Sequence, residues 1–491
     1  MFDQGDPRPT AFFFLRAGNL VRNFANADMI EKLRESGYQF VIFSPNVDHP
    51  LIHKFFAAPC FRFEKLNTEE FRPRLPRLHQ FFVLVRRITY GNTLFSEAGC
   101  RHANLRTIRE RDFGKASKLG KLFLETVVLV AGLASRFSFI RRALQIGENY
   151  LAPFDGHGPL YQELKPSITV TLSFGYREDA LIFREARSYG SKPVVLVKNW
   201  DIATTKGYCG EVADYALVWN EMMASEAIRF QDTPADGVRV CGIPQWDYYF
   251  KHTSLSSRDK FCARYSLDPA RKIIYFATTT PMFYRHNLKV ARMVLSAMRD
   301  GKISEPAQLL IRLHPAYILF DGILDEETKS EMDLLVDEFG ELLSFSYPET
   351  QNHSNFRVPN QKNDTTVQEL LVHSDVMLTV YSTQMVEAMF FDLPVVNAGI
   401  HEFGDTELPI SHYDQWEHIR QINNPAGISY CYNNEDVFGS LNEALSSPAK
   451  GSEERKNLAD RMFPPALRGQ SGALVAEQLI ELTAAHTDTK S

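Results

Sequence analysis

Residues 364–399, DTTVQELLVHSDVMLTVYSTQMVEAMFFDLPVVNAG, constrain the fold more than any other stretch of the chain. Val367, Leu370 and Leu371 recur at helical spacing, whereas the apolar run Val376, Met377, Leu378 and Val380 is too short for a helix and reads as a buried strand. Tyr381-Ser382-Thr383 follow, then a second helix carrying Glu387 and a further apolar strand at Pro394, Val395 and Val396. A helix between two apolar strands is the repeating unit of a parallel sheet, where ligands bind at the point at which strands end and helices begin. Ser382 and Thr383 therefore fall at a helix N-terminus, whose backbone N–H groups attract phosphate. The outline is that of a nucleotide-diphosphate pocket.

The same alternation runs through most of the chain. A strand at 11–15 leads through Arg16-Ala17-Gly18-Asn19 to a helix at 24–36 and a strand at 40–43; the loop has one glycine, so it is no dinucleotide fingerprint. A basic, less regular region spans 72–142. Strands are then expected at 168–172, 193–198, 213–219 and 238–241, with helices at 178–189 and 221–230. A polar connector lies at 252–271. Beyond it come strands at 272–277 and 309–312, with helices near 288–299 and 326–339. The fold class is α/β, with two Rossmann-like doubly wound domains facing a central cleft. Residues 1–250 form the amino-terminal acceptor domain with an insertion near 72–150, 251–271 the linker, 272–450 the nucleotide-donor domain, and 451–491 a helix with a disordered tail that can cross back to the first domain.

At 491 residues and 44% apolar composition, the chain can bury two cores. A formal charge of −6 gives no general field for nucleic acid, and none is expected as a partner. The six cysteines show no metal-like or disulfide-framework spacing, which suits a reducing compartment. Without a secretory pattern at the N-terminus or an apolar run long enough to span a bilayer, the protein is placed in the cytoplasm, with peripheral contact at the inner membrane open.

Candidate site residues follow from strand ends. In Leu310-Ile311-Arg312-Leu313-His314-Pro315, the proline fixes the chain just past a strand, so His314 either donates to a diphosphate or caps local backbone; Arg312 is grouped with it on the donor side. Thr278, Thr279 and Thr280 either clasp phosphate oxygens or form a hydroxyl-stabilised turn. Glu387 suits ribose hydroxyls or is a solvated helix carboxylate. In the first half, Lys198-Asn199-Trp200-Asp201-Ile202-Ala203-Thr204-Thr205-Lys206-Gly207 follows a strand. There Asp201 can act as general base, Lys206 can bind an anion and Trp200 can stack on a sugar, with core, cap and solvated-charge roles as the alternatives. Gly18 and Asn19 are assigned to the acceptor side, and Glu178 and Asp179 are alternative bases.

The pairing of RLHP with SDVMLTVYSTQMVEAMFFDLPVVNAG, together with NWDIATTKG and CGIPQWD, resembles the GT-B superfamily of glycosyltransferases, and within it bacterial surface-polysaccharide enzymes related to CDP-glycerol glycerophosphotransferases and bacterial sialyltransferases. The resemblance implies phosphate contacts at His314, Ser382 and Thr383, a ribose contact at Glu387, and an inverting transfer from a nucleotide-sugar donor to a glycan or lipid-linked acceptor. No cofactor and no metal are implied. Here Trp200-Asp201-Ile202 replaces the usual W-D-N, and Val380-Tyr381-Ser382-Thr383 replaces the D-Y-S-S of the glycerophosphotransferases, which weakens a polyol-phosphate transfer. A sugar-nucleotide 2-epimerase and a silent nucleotide-binding scaffold subunit are the rival readings.

Residues 101–142 hold ten Lys or Arg against three Asp or Glu around the apolar run 122–134, which suits either an anionic membrane surface or a buried core helix.

Overall fold

A computed structural model describes residues 8–18, 21, 26–69, 71–89, 117–251, 254–318, 323–353, 356–359, 362–400, 410–423 and 426–485. The chain divides into two compact units. One comprises residues 1–250, 415–421 and 465–491, the other residues 251–414 and 422–464.

The first unit is built on a seven-stranded parallel sheet. Its strands are β1 (Thr10–Phe14), β2 (Gln39–Ser44), β3 (Phe61–Lys65), β4 (Ile168–Thr171), β5 (Lys192–Leu196), β6 (Tyr215–Val218) and β7 (Val238–Val240), in the order β3-β2-β1-β4-β5-β6-β7. Every residue of β1 and β2 is buried, which is why these strands read as continuous apolar runs. Phe14 stacks on Phe43 at 4.3 Å across this pair. The strand order reverses between β1 and β4, the switch point at which open α/β sheets hold ligands.

Helix α1 (Ala27–Glu35) starts at Asn26, whose side chain accepts from Met29 N at 3.0 Å. The region between β3 and β4 contributes α2 (Pro76–Ile88), α3 (Lys118–Ala134) and α4 (Ser138–Leu151), and α5 (Arg177–Ser188) follows β4. A buried ion network ties this layer to the sheet. Glu148 on α4 accepts from Arg86 Nε on α2 at 2.6 Å and pairs with Arg184 on α5 at 3.0 Å. Burial alone would raise the Glu148 pKa, but the two guanidiniums hold it below the usual carboxylate range. Five described cysteines, Cys60, Cys209, Cys241, Cys262 and Cys431, are free and buried.

The second unit carries a six-stranded parallel sheet. Its strands β8 (Lys272–Ala277), β9 (Ala307–Arg312) and β10 (Leu343–Ser346) are followed by a separate hairpin, β11 (Thr350–His353) with β12 (Phe356–Pro359), and then β13 (Val376–Thr379), β14 (Val395–Ala398) and β15 (Ile428–Cys431). The order is β10-β9-β8-β13-β14-β15, so the switch point lies between β8 and β13. Helix α6 (Asn287–Arg299) joins β8 to β9, and α7 (Gln384–Met389) joins β13 to β14. Two Rossmann-like units in succession are the domain content of a GT-B chain.

The single helix expected within 451–491 is two, Ser452–Met462 and α8 (Ser471–Ala485), separated around Pro464 and Pro465. The expected polar connector at 252–271 contains a helix at Arg258–Arg264. Helix α8 belongs to the first unit and packs on α1. The buried Asp247 carboxylate joins them, accepting from Ser471 N at 3.0 Å, Gly472 N at 2.8 Å and Asn26 Nδ2 at 3.1 Å. Asp247→Ala strips two buried backbone N–H groups of their acceptor and loosens Asn26, and is expected to destabilise the unit by about 2–4 kcal/mol, read as a lower urea midpoint at constant slope.

Candidate functional site

In the second unit three loops leave the sheet at one edge, because β9, β8 and β13 run parallel side by side. Hydroxyl clips hold their ends together. Thr278 Oγ1 donates to Arg312 O at 3.1 Å and accepts from His314 N at 2.8 Å, while Thr379 Oγ1 donates to Ala277 O at 2.7 Å. The turns carrying His314 and Ser382-Thr383 therefore flank the β8 turn, one strand away on either side, roughly 10 Å apart by the spacing of two strand steps.

His314 is half-buried, and its Nδ1 accepts from Ala316 N at 3.0 Å, capping the short turn that Pro315 begins. In the neutral ring this places the hydrogen on Nε2. Arg312 is buried and turned toward β10, donating to Ser346 Oγ at 2.8 Å and Tyr347 O at 2.6 Å. Thr279 is engaged by Asn287, which accepts from Thr279 N at 3.0 Å and donates to Thr279 O at 3.1 Å. Of the threonine turn, Thr280 is the most open side chain.

Tyr381 has a φ of 46°, the left-handed region that a bulky residue enters only under constraint. Asn397 Oδ1 accepts from Tyr381 N at 2.7 Å, and the Tyr381 hydroxyl donates to Asp414 at 2.7 Å. Strain of this kind collects at functional turns. It sets Ser382 and Thr383 half-exposed ahead of α7, where Ser382 Oγ accepts from Gln384 N at 3.2 Å. Helix α7 has six residues, so its dipole is short and the hydroxyls carry more of any anion contact. Glu387 is buried, not solvated. On β14 and β15, Asn397 Nδ2 and the Tyr430 hydroxyl are buried without a hydrogen-bond partner among the described residues.

In the first unit the charged residues gather at the ends of β1, β4 and β5. Arg16 Nε lies 3.4 Å from Asp179 Oδ1, and its guanidinium sits 3.9 Å above the Tyr176 ring, over which Lys198 Nζ also lies at 5.3 Å. Burial raises the Asp179 carboxyl to about 6, with the Arg16 and Lys198 charges opposing, and its Oδ2 has no hydrogen-bond partner among the described residues. Burial likewise lowers Lys198 to about 8, helped by the neighbouring Arg16.

Asp201 is placed differently. Burial would raise it, yet Lys206 Nζ at 3.4 Å and the Thr205 hydroxyl at 2.9 Å hold it below the usual carboxylate range. A Cβ on Gly175 would stand 2.5 Å from Lys206 Cβ, so the turn after β4 closes against this pair only with glycine there. Trp200 is buried and meets His418 edge to face at 4.8 Å. Gly18 is buried just past β1, and Asn19 lies outside the described residues. Asp179 and Glu178 were legible as helix-start carboxylates, but Arg16 and Tyr176 were not singled out, although the same strand-end rule points to them. Asn397, Asp414, Tyr430 and His418 had no local signal. No group of His, Cys, Asp and Glu that can hold a metal ion occurs among the described residues.

No family model matches the chain, and no curated protein matches it. Solved structures similar to it include the UDP-GlcNAc 2-epimerase of Methanocaldococcus jannaschii, at 9% identity over 96% of this chain and 99% of that one with a TM-score of 0.49. The wall teichoic acid polymerase TagF is 11% identical over 99% of this chain and 91% of its own, with a TM-score of 0.46. A glycosyltransferase of Rickettsia africae is 10% identical over 96% and 99%, with a TM-score of 0.48.

Proposed function

We propose that the chain is a glycosyltransferase that moves a sugar, with inversion, from a nucleotide-activated donor to a hydroxyl of a glycan or lipid-linked acceptor in surface-polysaccharide assembly. The observation that carries it is the convergence of the His314, Thr280 and strained Tyr381-Ser382-Thr383 turns at one sheet edge. In this role His314 donates its Nε2 hydrogen to a diphosphate oxygen, Ser382 and Thr383 hold the other phosphate, and Glu387 takes a ribose hydroxyl. Charge growing on the leaving nucleotide then meets donors already in place. The acceptor oxygen bonds to the anomeric carbon as the bond to phosphate oxygen breaks. Its proton goes to Asp179, whose carboxyl near 6 is a better-matched base than Asp201, tied down by Lys206. Asp201 is then a positioning residue. No metal takes part in this scheme.

One observation favours a second reading. Asp179 near 6 and Lys198 near 8 form a proton acceptor and donor pair at one sheet edge, which also suits a sugar-nucleotide 2-epimerase. A thermal-shift panel of UDP, CMP, CDP, GDP and ADP is the first test, since a ligand at a hundred times its Kd stabilises by about 2.7 kcal/mol. One nucleotide is expected to raise Tm by several degrees; a flat panel overturns both readings. The matching nucleotide sugar, incubated without acceptor and followed by NMR, separates them, because epimer appears only if the second reading holds.

A further inference from the structure

Helices α2, α3 and α4 turn a large apolar face to solvent. On α3, Leu119, Leu122, Phe123, Leu129, Val130 and Leu133 are each more than half exposed, and Phe139, Ile146 and Tyr150 continue the face along α4. A ring contact between Phe81 and Phe123 at 6.5 Å carries it onto α2. Apolar patches of this extent mark surfaces that are covered in use. The exposed charges from 117 to 150 are Lys118, Lys121, Arg136 and Arg142 against Glu125, so the covering surface is anionic. No helix among the described residues is long and apolar enough to cross a membrane.

Two cavities open beside this face. One, of about 300 Å³, is lined by Phe82, Val127, Val130, Ala134, Ile140 and Leu144 among others. Its two threonines turn their hydroxyls back to their own helices, Thr89 to Val85 O at 2.8 Å and Thr126 to Leu122 O at 2.9 Å, so the wall offers a ligand no hydroxyl hydrogen. Phe81 borders this cavity and also a second, of about 650 Å³, whose lining includes His79, Gln80, Arg87 and Arg177. His79 is buried and its Nε2 has no hydrogen-bond partner among the described residues. A residue with a buried, unpartnered polar atom in the wall of a roomy basic cavity is a candidate contact for a ligand's polar end.

We propose that the two cavities bind one anionic amphiphile across Phe81, its hydrocarbon chain in the apolar cavity and its phosphate beside His79, Arg87 and Arg177, while the exposed face rests on the acidic phospholipid bilayer that supplies it. An apolar face and a basic rim together give the two signals that stable peripheral binding requires. Only the identification of this amphiphile as the acceptor rests on the transfer reading; the binding itself does not.

The full chain is sedimented with phosphatidylcholine vesicles with and without phosphatidylglycerol, and a phosphatidylglycerol carrying a nitroxide on its acyl chain reports chain capture by electron spin resonance. The wild type is expected to partition at least about tenfold better onto the anionic vesicles and to lose this with added salt. The triple variant Leu122→Ser, Phe123→Ser, Leu133→Ser should lose that partition with an unchanged Tm. Thr126→Trp fills the apolar cavity, and should abolish the immobilised spectral component while sedimentation persists; Arg177→Gln should reduce it. Equal partition of wild type and triple variant, absence of an immobilised component, or a wild-type dimer that the triple variant dissolves would each overturn the proposal. The nucleotide panel run on the same samples separates the two ideas: a flat panel with vesicle binding intact removes the transferase and leaves the lipid site standing.

Discussion

His314→Ala should turn over at about a hundredth of the wild-type rate or less, as loss of one preorganised donor to developing charge does. The loss should fall on kcat and kcat/KM together, because the donor matters most when charge has built up on the leaving phosphate. The fold around it should survive. Pro315 still sets the turn, and His314 N still donates to Thr278 Oγ1, which needs no imidazole. The cap from Nδ1 to Ala316 N is lost, a contact worth about 1 kcal/mol. Turnover near wild type in a variant with a normal Tm would remove His314 from the site.

Asp179→Asn should lower turnover by about 10²–10⁴, the range for loss of a general base, while raising stability at alkaline pH. The sign follows from the direction of the shift. A carboxyl raised to about 6 in the folded state binds its proton more tightly there than in the unfolded chain. Its stabilising contribution is whole below the usual carboxylate range and is lost as pH rises through about 6. Asparagine cannot ionise, so the variant should gain up to about 2 kcal/mol over wild type at high pH, trimmed because Arg16 and Lys198 lose a counter-charge. The gain should vanish toward about pH 4 in urea titrations. More stability with less turnover is what a strained functional group gives. If instead Asp179→Asn melts lower at alkaline pH, Asp179 is an ion-pair partner of Arg16 and the base lies elsewhere.

Much of the architecture was legible because buried parallel strands read as apolar runs. The strand Lys272–Ala277 and the helix Glu326–Phe339 fall where periodicity puts them. The edge strand β3 was not legible: it reads FRFEK, with charges alternating along a partly exposed strand, and it lacks the continuous run that marks its neighbours. The strand-end rule also found the turns at Thr278, His314 and Ser382. It could not tell that the Thr278 hydroxyl is committed to Arg312 O and His314 N, nor that Lys206 holds Asp201 below the usual carboxylate range while burial raises Asp179. Those distinctions depend on partners far away in sequence. The run 122–134 read first as a core helix and second as a membrane contact; in the structure Val128 and Ala131 are buried, whereas Leu122, Phe123 and Leu133 are exposed.

The first unit is assembled from three separate stretches of the chain, and this bears on how it is made. On the ribosome, its seven strands emerge long before Ser471 and Gly472 exist to meet Asp247, so the nascent sheet waits through most of translation with one flank of α1 bare. A plasmid that stops at residue 250 should therefore deliver inclusion bodies, and co-expression of the last segment as a separate peptide should bring the fragment into the supernatant.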